Sequence, residues 1–241
     1  MTLKAFVFDV FGTCVDWQTS VEKQLAAFLT ERGLDASRAL DMTLQWRKGY
    51  YEYCIGVGTQ QNKEPYTLVD LVHRRLIKSI LADSMSYKAD ETELDKLQDF
   101  WHKLEPHADT SEGIRRLKRK AITSTLSNGN MRLLVDMSKH ADMQWDLIMS
   151  GELWQSTKPD PRVYRGAAEM LLMDYEEVVM VACHFSDLEY AKKAGLRTAF
   201  IYRPGESEPE LGPGQMRRDG RNEPYIDYVV ETIGELADLI T

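Results

Sequence analysis

The chain has 241 residues, 43% of them hydrophobic and including five Trp and 11 Tyr, so it can bury a real core and disorder is excluded. Its net charge of -8 and pI near 5.2 exclude the basic face that a nucleic-acid or anionic-membrane partner requires, and an anionic ligand would need locally placed cations. No stretch approaches the ~20 apolar residues of a membrane span and the start Met-Thr-Leu-Lys lacks a signal-peptide pattern, so a soluble cytoplasmic protein is expected.

Residues 4–10 are a near-continuous apolar run carrying Asp9 at its end, followed by the turn Phe11-Gly12-Thr13; this reads as a strand buried on both faces. Residues 16–107 then show amphipathic helical patterns at 20–32, 36–53, 66–82 and 91–104, with no convincing strand. Beyond them a helix is expected at 111–119, a strand at 121–126 ending on Ser127-Asn128-Gly129, a helix at 131–140 and a strand at 146–149. The segment from Ser156 to Tyr164 carries Lys158 between Thr157 and Pro159, and Pro161 opens a helix at 161–172. A strand at 178–182 ends on Cys183-His184-Phe185-Ser186-Asp187, followed by a helix at 188–194, a strand at 198–202, a Gly- and Pro-rich surface loop at 204–224 and a strand at 228–230.

This alternation predicts an α/β fold with a doubly wound, parallel-sheet, Rossmann-like core and an inserted α-helical cap domain. The core is assigned to 1–15 and 108–241 and the cap to 16–107. Ligands of open α/β sheets bind outside the carboxyl ends of the strands, so a cap inserted after the first strand would close over Asp9 and exclude water.

Taken singly, the polar residues at these strand ends are ordinary. Asp9 alone reads as a turn or cap residue, Ser127-Asn128-Gly129 as a helix cap, Lys158 as a solvated cation, and Cys14, Cys54 and Cys183 as small, reduced core residues with no metal or redox spacing. Together they describe a carboxylate, a lysine able to hold it ionised, and backbone and hydroxyl donors able to cradle an anion at a helix start.

In that order the residues resemble the motifs of the haloacid dehalogenase superfamily, most closely the type II (S)-2-haloacid dehalogenases, over nearly the whole chain. The resemblance implies Asp9 as nucleophile, Thr13 as a supporting hydroxyl, Arg47 in Trp46-Arg47 with Tyr50 and Tyr51 as the halide-receiving arginine, and Ser127 and Asn128 as carboxylate and halide contacts. It also implies Lys158 and Tyr164 around the nucleophile and Asp187 as the acid that positions hydrolytic water. Superfamily phosphatases carry acids at the positions of Phe11 and Cys183, so the resemblance implies carbon–halogen chemistry with no metal cofactor, although Asp9 and Asp187 leave a weak magnesium site open.

One departure concerns Ala182-Cys183-His184-x-x-Asp187, where well-studied members carry Ser-Ser-Asn-x-x-Asp; a subgroup with His-x-x-Asp-Leu is similar to this chain. His184 is therefore expected either to share in activating water, with Glu22 as its orienting carboxylate, or only to hydrogen-bond and pack. The implied reaction takes a 2-halocarboxylate and water to a 2-hydroxy acid with inversion, and the resemblance leaves a homodimer open. Two other readings stand beside it: a magnesium-dependent phosphatase on the same fold, and a non-catalytic carboxylate-binding protein.

Overall fold

β1 (Ala5–Phe8) is buried along its whole length, with Phe6 and Phe8 packed into one apolar cluster and Ala5 and Val7 into another. A strand covered on both faces belongs inside a parallel sheet, and β1 is the centre of one. The computed structural model describes residues 3–61, 65–206 and 220–240.

Directly after Asp9 the chain turns through Gly12, whose φ of +85° suits glycine, and reaches β2 (Val15–Asp16). Among the described residues four helices follow: α1 (Trp17–Glu31), α2 (Ala39–Gly58), α3 (Val69–Met85) and α4 (Glu91–Gln98). Asp16 caps α1 by accepting from the Thr19 N–H, and Asp90 with Glu93 forms a reciprocal capping box on α4. The chain returns through β3 (Glu105–Pro106), which pairs antiparallel with β2. These two-residue strands were not expected from the sequence, because a pair this short has no readable period. The expected helix at 91–104 is likewise interrupted: α4 stops at Gln98 and a 3-10 turn, Asp99–His102, takes over.

The rest alternates as the sequence suggests: α5 (Thr110–Leu117), β4 (Ile122–Ser127), α6 (Met131–His140), β5 (Leu147–Ser150), α7 (Pro161–Met170), β6 (Val178–Ala182), α8 (Phe185–Ala194), β7 (Arg197–Ile201), β8 (Tyr228–Val230) and α9 (Ile233–Leu236). α8 begins three residues earlier than the apolar period indicates, so Asp187 lies in its first turn, where a helix dipole favours a carboxylate. Most of the predicted loop at 204–224 lies outside the described residues.

The six-stranded parallel sheet has the order β5-β4-β1-β6-β7-β8. The chain runs outward from β1 through β4 to β5, then crosses back to β6 on the other side of β1. β1 is therefore the topological switch point, and Asp9 projects from its carboxyl end. This is the doubly wound, Rossmann-like α/β fold that the sequence predicts, and no described helix is long and apolar enough to cross a membrane.

The apolar cluster on the Phe6–Phe8 face runs without a break into the helical segment through Phe11, Trp17, Trp46, Tyr50 and Trp101. Two polar attachments fix the same junction. The α2 end docks on the chain before α7, where the Thr157 hydroxyl donates to the Cys54 carbonyl at 2.6 Å. On the other side, His102 lies between Asp70 of α3 and Asp136 of α6, at 3.1 and 3.0 Å. Asp70 in turn exchanges two hydrogen bonds with the Asn130 side chain.

Burial works against protonation of His102, but Asp70 and Asp136 outweigh it and raise its pKa above the ordinary value. Such a group stabilises the fold fully below its unfolded pKa near 6.5, and the contribution is lost as pH rises through the raised folded pKa, because a neutral ring can donate to only one carboxylate. We expect His102→Gln to be less stable than the unsubstituted protein at pH 6 in urea denaturation, with the gap narrowing as pH rises through that raised value. A gap independent of pH would remove His102 as the charged element of this junction.

Candidate active site

Asp9, Lys158 and Asp187 come from three distant parts of the chain and meet below the surface, each less than a tenth exposed. Asp9 is fixed by its backbone, whose N–H donates to the Val181 carbonyl of β6 at 2.9 Å. Its Oδ1 accepts from Lys158 Nζ at 3.0 Å, and its Oδ2 accepts from the Thr13 hydroxyl at 2.9 Å and lies 3.1 Å from His184 Nδ1. Burial alone would push this carboxyl up, but Lys158 and His184 hold it well below the usual carboxylate range. Asp9 is therefore an ionised carboxylate in a water-poor site.

Lys158 also donates to Asp187 Oδ2 at 2.5 Å, and Tyr164 donates to Asp187 Oδ1 at 2.6 Å. Burial acts against the charge on Lys158, yet Asp187 and Asp9 more than compensate and its pKa is raised. Burial also pushes the Asp187 carboxyl up despite Lys158, and burial together with Asp187 pushes Tyr164 well up, so its phenol remains a donor. Both Asp187 oxygens are thus occupied in orienting Lys158 and Tyr164.

Local folding accounts for this placement. Asp160 caps α7 and Pro161 occupies its first turn, while the Ser156 hydroxyl donates to Asp160 at 2.7 Å. The Lys158 N–H donates to Asn128 Oδ1 at 2.7 Å, with Asn128 Nδ2 3.4 Å from the Lys158 carbonyl. Asn128 therefore clasps the lysine's own backbone and retains an amide proton for a ligand. Ser127 Oγ accepts from the Gly129 N–H at 3.2 Å, so its hydroxyl proton can still be donated. Gly129 stands close to the Phe11 ring, which a Cβ there would meet at 3.1 Å and push back by a few tenths of an ångström.

The opposite wall is aromatic. Phe11 faces Tyr50 and Trp101 at ring distances of 5.8 and 5.9 Å. Arg47 lies over Trp17 and Tyr50 at 5.1 Å each and over Phe11 at 5.6 Å. Its Nη1 is buried and has no hydrogen-bond partner among the described residues, an open donor for an anion. Behind it His73 stacks on Trp101 at 4.2 Å and on Tyr50 at 4.9 Å, and burial, reinforced by Arg47, keeps this imidazole neutral.

The structure brings Asp9, Thr13, Lys158, Tyr164, His184 and Asp187 into one hydrogen-bonded group and sets Phe11 among the aromatic rings beside it. Glu22 behaves differently from the expectation. No hydrogen bond or ion pair joins it to His184 among the described residues, and the carboxylate at His184 Nε2 is Glu206, 3.5 Å away. Glu206 lies in the loop after β7, a stretch whose composition carries no period.

Arg203 was also not singled out from the sequence. Its Nε donates to the Thr13 carbonyl at 2.8 Å, and its guanidinium pairs with Asp109, which holds the turn after Asp9. Its position just past the end of β7 was the available signal.

A magnesium ion needs several oxygen donors in a near-octahedral shell. Here the Lys158 ammonium occupies the space between the two carboxylates, Phe11 and Cys183 offer no oxygen from their side chains, and the set does not fit that ion.

The model of the haloacid dehalogenase-like hydrolase family matches residues 3–195. The chain is 34% identical to an L-2-haloacid dehalogenase of known structure, covering 98% of each chain with a TM-score of 0.86. It is 32% identical to a defluorinating L-2-haloacid dehalogenase, covering 99% of this chain and 95% of that one with a TM-score of 0.87. Over 242 aligned residues it is 26% identical to (S)-2-haloacid dehalogenase H-109 of Pseudomonas putida, covering 98% of this chain and 97% of the relative.

Removing Lys158 would leave two buried carboxylates without their cation. Breaking a buried pair in this way costs about 3–5 kcal/mol. We expect Lys158→Met to lower the urea-unfolding free energy by that order; a loss below about 1 kcal/mol would mean that the ammonium is not what stabilises Asp9 and Asp187 together.

Proposed function

Because the chain belongs to the haloacid dehalogenase-like hydrolase family, we propose that it is a hydrolase of carbon–halide bonds that converts (S)-2-haloacids to (R)-2-hydroxy acids through an ester on Asp9. One observation carries this reading: the ionised Asp9 stands two residues before Phe11, whose ring joins the aromatic wall under Arg47. A phosphatase must protonate an alkoxide leaving group, and phenylalanine cannot donate a proton. A halide leaves as a stable anion and needs only a place for its charge.

In the first step an Asp9 oxygen forms a bond to the substrate's C2 as the carbon–halogen bond breaks on the opposite face, inverting that carbon. The substrate carboxylate is held by the Ser127 hydroxyl and nearby backbone N–H groups, and the departing halide by the open Arg47 nitrogen and the Asn128 amide. In the second step water adds to the ester carbonyl carbon, the carbonyl–oxygen bond to the substrate breaks, and Asp9 is regenerated. His184 lies 3.1 Å from Asp9 Oδ2 and its neighbours raise its pKa well above the ordinary value despite burial, so in the resting site it is a donor to Asp9; once the ester has removed the Asp9 charge it can give up that proton and take one from the water, whereas Asp187 works through Lys158 and Tyr164. Thr13 keeps the carboxylate in its rotamer.

Lys158 holds the charge of Asp9, and displacement at carbon calls for no divalent ion at the nucleophile. Residues 16–107 act as a cap that contributes Arg47 and Tyr50 and closes the site to bulk solvent.

The test is halide release from each enantiomer of 2-chloropropionate with EDTA present, beside a magnesium-supplemented phosphatase assay. Only the (S) enantiomer should be consumed, giving (R)-lactate. Asp9→Asn should lower the rate by at least about 10³-fold, and Arg47→Ala should lower kcat by about 10²–10³-fold. Phosphate release that needs magnesium, with no halide, would overturn the reading.

A further inference from the structure

His184 stands between two acids. Its Nδ1 lies 3.1 Å from Asp9 Oδ2, and its Nε2 lies 3.5 Å from Glu206 Oε2. Cys183 Sγ is 3.7 Å from both ring nitrogens, so it lies against the face of the ring and out of line with either N–H. Glu206 comes from the loop after β7, and Gly12 makes a place for it, since a Cβ at that position would collide with the Glu206 carboxylate. The displacement and hydrolysis described so far give this second acid no task.

The two ring protons become unequal when the ester forms. In the resting site each N–H of the imidazolium faces a carboxylate. Alkylation turns Asp9 into a neutral ester, so the Nδ1 proton loses its anionic acceptor while the Nε2 proton keeps Glu206. The Nδ1 proton is therefore the one that leaves, and solvent can take it because the His184 side chain is 24% exposed. What remains is a neutral imidazole with hydrogen on Nε2 and a lone pair on Nδ1, facing the ester. Without an acid at Nε2 this tautomer would have no advantage, and the other one presents no base to the ester.

We propose that Glu206 is a positioning residue for ester hydrolysis, which holds the hydrogen of His184 on Nε2 and so aims the Nδ1 lone pair at the attacking water. Nδ1 takes one proton of that water as its oxygen bonds to the Asp9 carbonyl carbon. The bond from this carbon to the substrate oxygen then breaks, and the hydroxy acid leaves with the water's second proton. Asp9 returns as a carboxylate against a protonated His184, which is the resting pair. The charge of Glu206 also stabilises the imidazolium as it forms. This role rests on the displacement proposed for Asp9, and it confines Glu206 to the second step.

Single turnovers with enzyme in excess over (S)-2-chloropropionate separate the two steps when halide and lactate are followed independently. Glu206→Gln keeps the size of a partly exposed side chain, removes its charge, and can present N–H to the ring as readily as oxygen. In this variant halide should appear at the unsubstituted rate, while lactate forms about 10–10²-fold more slowly, part of what a positioned base supplies. The Asp9 ester should then accumulate, visible as an added carboxyethyl group in the mass of the intact protein. In a His184→Asn background Glu206→Gln should slow lactate no further, because Glu206 acts through the ring. Equal slowing of halide and lactate, slowing of neither, or the full effect in His184→Asn would overturn the proposal. Failure of the unsubstituted protein to release halide would overturn the displacement itself, and the role of Glu206 with it.

Discussion

The constraint on which the site depends is the buried Lys158 ammonium between two buried carboxylates. Two like charges 4 Å apart repel by about 4 kcal/mol at an effective dielectric near 20, more than a marginally stable domain can easily give up at one point. A single cation in contact with both reverses that sign. It is also held from several directions: its backbone N–H by Asn128, the residue before it by the Cys54 carbonyl of α2, and the turn that follows by Asp160. The polypeptide around Lys158 is thus joined to β4 on one side and to the helical segment on the other, so the position of one ammonium group couples the two parts of the molecule.

The same site is divided by polarity. On the lysine side every oxygen of Asp9 and Asp187 has a donor. On the Arg47 side the walls are rings, and the guanidinium keeps a buried nitrogen with no partner among the described residues. Electrostatic interactions strengthen when water is excluded, so a cation with apolar walls favours an anion there more than an exposed arginine would. In the proposed reaction this asymmetry gives direction to the displacement, with negative charge fixed at Asp9 at the start and received at Arg47 at the end.

Much of this was legible in the sequence because the core strands are buried on both faces and their carboxyl ends are short, punctuated and polar. Asp9, Ser127 and Asp187 could be located by that rule, and the helices at 131–140 and 161–170 by period and by Pro161. The loss of an acid at Phe11 was visible directly. What the sequence hid depends on contacts far apart in the chain. Glu206 lies in a loop without period, and only the fold brings it to His184, whereas Glu22 occupies a regular helix and was the more visible carboxylate. The two-residue pairing of β2 with β3 and the placing of His102 between Asp70 and Asp136 have the same origin. Each is a match between partners that no local pattern announces.

Phe11 and Cys183 are best understood as one change rather than two. With acids at both positions the strand ends would hold four carboxylates, counting Asp9 and Asp187, and only a multivalent cation could neutralise them. With Phe11 and Cys183 in place two carboxylates remain, Lys158 touches both, and His184 lies beside Asp9 as well. The chemistry moves with the charge. A divalent ion draws electron density from the nucleophile it binds and from a phosphoryl oxygen at once, which suits transfer at phosphorus. A hydrogen-bonded ammonium leaves Asp9 a carboxylate with free lone pairs, which suits attack at a saturated carbon whose leaving group asks only for a cation of its own. In the proposed reaction the residue that takes away the leaving group's proton donor also takes away one carboxylate at the strand ends, and its ring joins the aromatic wall under Arg47.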